Sequence, residues 1–213
     1  MTHGFRTLTA GLLMALVGVG AQAQVTIAVA DGGFEASYTS YATRGADGHV
    51  VFTYQPTGGN QGWGYAAGTG VASSYDALSA FEGNSFAFVQ NETEKFGQLI
   101  TVDQTARAST TFALALRPGY SAGQVVGIMV DGQQVAQVAA TATSWSIQNI
   151  DLGILTAGVH TFGFRGLNPN HAPDTTAFID AVKLSASPVP EASSLALAGV
   201  GAILVAALRR RRA

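Results

Sequence analysis

The chain has 213 residues, 47% of them hydrophobic and only 11% charged, with 26 glycines and no cysteine. The lack of cysteine excludes disulfides, thiolate metal sites and cysteine nucleophiles. A charged fraction far below the ~25% usual in soluble domains places part of the hydrophobicity outside an ordinary folded domain. Between residues 24 and 190, twelve acidic residues face six basic ones, a net charge of −6. That sign repels phosphate backbones and excludes nucleic acid as a partner, and it suits neutral glycans or divalent cations better.

The N-terminus reads as a signal peptide over residues 1–23. Arg6 supplies a positive start, residues 10–19 an apolar run, and Ala21-Gln22-Ala23 a small-x-small site with cleavage before Gln24. Export would then use the Sec machinery. The apolar run is too short to span a bilayer without strain.

From Gln24 onward the chain reads as short strands and turns. Period-2 alternation marks residues 85–89, 110–116 and 160–164, with large side chains on one face of each. Further strands are predicted at 25–29, 50–54, 97–102, 125–130, 135–139, 144–150 and 176–184, and Asp131-Gly132 predicts a tight hairpin turn. No window shows a capped amphipathic helix. Strands at intervals of roughly 8–15 residues predict an all-β jelly-roll sandwich over 24–187. Residues 45–80 are rich in Gly, Ser, Thr and Tyr, and most of that stretch reads as long loops of the kind that carry binding function.

Beyond residue 187, Val189-Pro190-Glu191 precedes an apolar stretch over 192–208, then Arg209, Arg210, Arg211 and Arg212. The stretch is just long enough for a single transmembrane helix, and the arginines stop transfer and stay in the cytoplasm. This tail, residues 188–213, resembles the PEP-CTERM sorting signal. The resemblance implies that exosortase, a membrane-embedded cysteine protease, processes the chain near Val189, Pro190 and Glu191, after transient anchoring in the inner membrane. Ala192 stands where the pattern usually has a second proline.

The domain is similar to galactose-binding-like jelly rolls, the fold of many carbohydrate-binding modules. Three segments carry the likeness: Asp31-Gly32-Gly33-Phe34-Glu35, Gly97-Gln98-Leu99-Ile100 leading to the strand at Phe112, and the closing strand from Ala177 to Leu184. The resemblance implies polysaccharide binding and a structural calcium between the two ends of the domain.

Among single residues, Asp180 would share one strand face with Phe178, Val182 and Leu184 and so needs compensation. Calcium held with Glu35 is one solution; backbone N–H groups or an arginine are another. Trp63, Tyr65 and Tyr75, with Asn60 and Gln61 nearby, form a candidate sugar platform, unless Trp63 plugs the core. Trp145, two residues before Ile147 in a predicted strand, reads as core, and His171 as a solvated loop histidine. No HExxH or GxSxG motif occurs, and Glu92 with Glu94 beside Lys95 makes a solvated patch rather than a catalytic pair. The sequence therefore points to a non-catalytic cell-envelope or extracellular protein that binds exopolysaccharide. The alternative is a matrix or adhesion protein that associates through protein contacts.

Overall fold

The computed structural model describes residues 25–36, 43–44, 50–57, 62–75, 78–92, 96–119 and 123–189. The signal peptide with Ala21, Ala23 and Gln24, the tail from Pro190 to Arg212, and Asn60 and Gln61 lie outside the described residues.

Among the described residues, twelve antiparallel strands form two sheets and no helix occurs. The large sheet runs β10 (Ser146–Leu155), β7 (Ala106–Leu116), β12 (Thr176–Pro188), β5 (Phe86–Gln90), β4 (Thr69–Tyr75), β3 (Val50–Tyr54), β2 (Thr43–Arg44). Its eighth strand, β1 (Val25–Ile27), pairs with the last residues of β12. The small sheet runs β6 (Phe96–Val102), β11 (Gly158–Gly166), β8 (Gln124–Val130), β9 (Gln133–Ala140). Asp131 and Gly132 both have positive φ, as the two-residue hairpin between β8 and β9 requires.

The sandwich interior is filled where alternation predicts large residues inward. Phe112, Leu114 and Leu116 of β7 face Phe162 and Phe164 of β11, with Phe112 edge-on to Phe164 at 5.0 Å. Each such ring is worth roughly 1.5–3 kcal/mol when removed from water.

β5 reverses this rule. Ala87 and Val89 enter the interior, while Phe86 and Phe88 point to the outer face of the large sheet. There they join Phe178, Ala72, Ala115 and Leu78 in a second, separate cluster. β4, read from the sequence as loop, is a central strand whose small residues make room for those rings. A Cβ at Gly70 would fall 2.6 Å from the Phe88 ring and also collide with the carbonyl oxygen of Thr53.

β12 changes facing midway. A bulge between Asp180 and Lys183 puts Ala181 at φ 52° and frees the Val182 N–H to bond Gly32 O at 2.9 Å. Phe178 therefore faces outward, whereas Val182 and Leu184 face the interior. The single apolar face expected for Phe178, Asp180, Val182 and Leu184 does not exist. Trp145 also departs from expectation: it stands just ahead of β10, half-buried on the outer cluster against Phe86, and donates to Ser79 O at 2.8 Å.

Candidate functional site

The outer face of the large sheet holds a groove of about 190 Å³. Its apolar walls are Phe52 and Tyr54 from β3, Tyr75 from β4, Phe88 from β5 and Phe178 from β12. Tyr54 and Phe88 meet edge-on at 5.1 Å, and Tyr75 tilts against Phe178 at 5.2 Å. The floor is low because Ala72 supplies little bulk between β3 and β5.

A polar rim closes one end. The Tyr54 hydroxyl donates to Gln90, the Gln90 amide donates to Asp174, and Arg117 pairs with Asp174 at 2.7 Å. The Arg117 guanidinium also lies over the Tyr75 ring, 4.8 Å from its centroid. Burial, then the Asp174 charge, pushes the Tyr54 phenol above its usual range, so it remains a hydroxyl donor at neutral pH.

Asp174 sits on the loop before β12, which is stapled from several sides. Asn168 exchanges bonds with Ala172 at 3.0 and 3.1 Å, the buried Gln124 side chain accepts from Asn168 N at 2.9 Å, and Asn91 accepts from Thr175 N at 3.1 Å. The rim is thus held by buried and half-buried amide side chains bonded to the backbone. Its two charges cancel, and among the described residues Asp174 is the one carboxylate in the lining. The exposed Tyr54 ring and the half-buried Phe52 and Tyr75 rings, beside hydroxyl, amide, carboxylate and guanidinium groups, can stack on an apolar sugar face and hydrogen-bond its hydroxyls.

The predicted platform is only partly brought together here. Tyr75 lines the groove, but Trp63 is 3% exposed and lies inside the sandwich. Its ring contacts Phe34 at 5.3 Å and Phe96 at 5.4 Å, and its indole N–H donates to Asp31 O at 3.0 Å. A side chain so enclosed cannot stack on a ligand, so its assignment to a sugar site is corrected. Tyr65 stacks on Phe96 at 5.4 Å, away from the groove lining. Tyr54, Gln90, Arg117 and Asp174 escaped the sequence reading. The available signal was the pair of aromatic dipeptide steps, Phe52 with Tyr54 and Phe86 with Phe88, which β3 and β5 turn to the same outer face.

The two carboxylates expected to hold calcium clamp a backbone segment instead. Asp180 accepts from Phe81 N at 2.8 Å, Glu82 N at 3.1 Å and Ala181 N at 2.6 Å. Glu35 accepts from Asn84 N and Ser85 N, both at 2.8 Å. Calcium needs about six to eight oxygen donors. Here N–H groups point at the carboxylates, and among the described residues no three His, Asp or Glu side chains converge. The residues present do not fit the ion. Burial pushes the Asp180 carboxyl up to about 6, with the nearby Glu82 charge adding to the rise and the three N–H bonds opposing it. His171 is exposed on the stapled loop, as expected.

At the other end of β12, Pro188 still pairs with Ala106, and Val189 N donates to Thr105 O at 3.2 Å. Residues 188–212 match the family model described as PEP-CTERM protein-sorting motif. The chain carries a PEP-CTERM sorting signal. That signal therefore begins on the last residue of the central strand, with no linker between domain and motif. No helix among the described residues is long and apolar enough to cross a membrane.

No curated protein matches the chain. Among solved structures, it is similar to the CBM22-1 xylan-binding domain from Paenibacillus barcinonensis Xyn10C, with 16% identity over 70% of this chain and 100% of that one, TM-score 0.43. A family 35 carbohydrate binding module from Clostridium thermocellum gives 17% identity over 63% and 96%, TM-score 0.42. The K2 cleaved adhesin domain of Lys-gingipain gives 15% over 78% and 99%, TM-score 0.43.

Proposed function

We propose that this PEP-CTERM protein is processed by exosortase, resides in the cell envelope or extracellular matrix, and binds a neutral polysaccharide without cleaving it. The observation that carries the reading is the outer-face groove. It combines Tyr54, 41% exposed, and Tyr75 with the Gln90–Asp174–Arg117 rim. Its internal charge balance, on a domain of net charge −6, favours neutral over acidic sugars. Glycoside hydrolysis needs two carboxylates flanking the bond, and among the described residues the groove lining offers Asp174 alone.

The test is binding of the signal-cleaved chain in detergent to xylan, galactomannan, pullulan and polygalacturonate. Binding to at least one neutral polymer, weakened tenfold or more in Tyr54→Ala, is expected. Binding to polygalacturonate alone would refute the neutral preference; binding to none of the four would remove the reading for these polymers.

The second reading, association through protein contacts, draws on β10. This edge strand exposes Ile147 and Ile154, at 57% and 60%, along ten residues. It predicts self-association in sedimentation experiments that Ile147→Lys abolishes.

A further inference from the structure

The groove and the sorting motif sit at opposite ends of one strand. β12 starts at Thr176, which lines the groove and pairs with Gln90, and ends at Pro188, where the sorting motif starts. Thirteen residues at about 3.3 Å each put roughly 40 Å between the two ends. β1 starts beside the end of β12, because Val25 pairs with Ala186. The turns at that end, residues 103–105, 131–132 and 156–157, are exposed and carry small, polar or acidic side chains. From Pro188 to Ala192, where the apolar stretch begins, four peptide steps reach at most about 14 Å.

We infer that the sandwich stands on the bilayer surface on the end formed by these turns and both termini, with the groove held at the far end. Anchoring then leaves the groove open, and the chain captures polysaccharide before its tail is processed. This inference rests on the groove reading for its ligand and on residues 192–208 as the membrane span for its tether. The short tether allows few other orientations, and the polar turns let this end rest on headgroups without inserting.

Because the chain has no cysteine, single labels are clean. The signal-cleaved full chain, reconstituted in vesicles containing a nitroxide-headgroup lipid, is labelled with a fluorophore at Gln104→Cys or at Asn170→Cys. Both positions are exposed, one in the turn before β7 and the other on the stapled loop. Strong quenching at 104 and none at 170 is expected. Quenching at 170, quenching at neither, or failure of the chain to float with the vesicles overturns the inference. In a second arm, the polymer that binds the chain in detergent should bind the vesicle-anchored chain with a Kd within about twofold. A Kd raised tenfold or more overturns the inference. If no polymer binds in either setting, the groove reading fails, and the quenching arm still decides how the sandwich stands.

Discussion

Two aromatic clusters lie on opposite faces of the same sheet, and they are built for different ends. Inside, Phe34, Trp63, Phe96, Phe162 and Phe164 interlock, and the one polar atom among their rings, the Trp63 indole nitrogen, is paired with a backbone carbonyl. Outside, Phe52, Tyr54, Phe88, Tyr75 and Phe178 leave an open volume, and their polar neighbours form a rim rather than a seal. Ring chemistry alone does not separate a core from a site. The difference lies in whether neighbouring residues fill the remaining space, as the second ring layer does inside, or leave it open, as Ala72 does outside.

This contrast is broken most severely by Trp63→Ala. Emptying the sealed cluster should cost about 3–5 kcal/mol in urea unfolding, while the folded fraction keeps its polysaccharide affinity. A variant that keeps its stability and loses binding would reverse the roles of the two clusters.

The outer face is also guarded by the segment over residues 78–85, which Asp180 and Glu35 hold down. The Asp180 carboxyl titrates near 6 when folded, against about 4 in an unfolded chain. The native state therefore binds this proton more tightly. The associated stability is complete below about pH 4 and is lost as pH rises to about 6, a change on the order of 2–3 kcal/mol. Urea midpoints at pH 4.5, 5.5 and 7 should fall in that order, and Asp180→Asn should flatten the trend. His160 acts in a higher window. Its hydrogen bond to Asp131 and its contact with the Thr156 carbonyl raise its pKa, so its contribution is lost only above its ordinary value of 6.5.

A finer cut separates stacking from hydrogen bonding in the groove. Tyr54→Phe keeps the ring and removes the hydroxyl that donates to Gln90, so titration should show a Kd about two- to fivefold higher, near 0.5–1 kcal/mol. A loss as large as that of Tyr54→Ala would assign the affinity to the rim instead. The smallest expected effect is that of calcium. With both carboxylates bonded to backbone N–H groups, adding calcium or chelator should leave Tm unchanged, and a rise of several degrees with calcium would overturn the clamp.

Much of the fold was legible because β7 and β11 obey simple alternation with large residues inward, and because Asp131-Gly132 has the chemistry of its turn. β4 was not legible, since Thr69–Tyr75 contains one aliphatic residue larger than alanine and owes its place to the strands on either side. The groove was harder still. Alternation in β5 reveals two faces but not which is inward, and the bulge at Ala181 breaks the period that would have placed Asp180. Asp174 and Arg117 come together across 57 residues of sequence, a distance no local pattern reports.

The position of β12 has a consequence for the order of assembly. The last strand of the domain is also a central one: β7 flanks it along one side, and β5 and β1 share the other. Export N-terminus first, as a signal peptide over residues 1–23 would direct, would leave the large sheet split until its final segment arrives. Pairings that join β1 to β12 close across nearly the whole domain, and such long-range closures form slowly. In that order of export the protein would stay threadable throughout and close only as the residues immediately ahead of the sorting motif clear the membrane, so that completion of transport and completion of folding would be the same event.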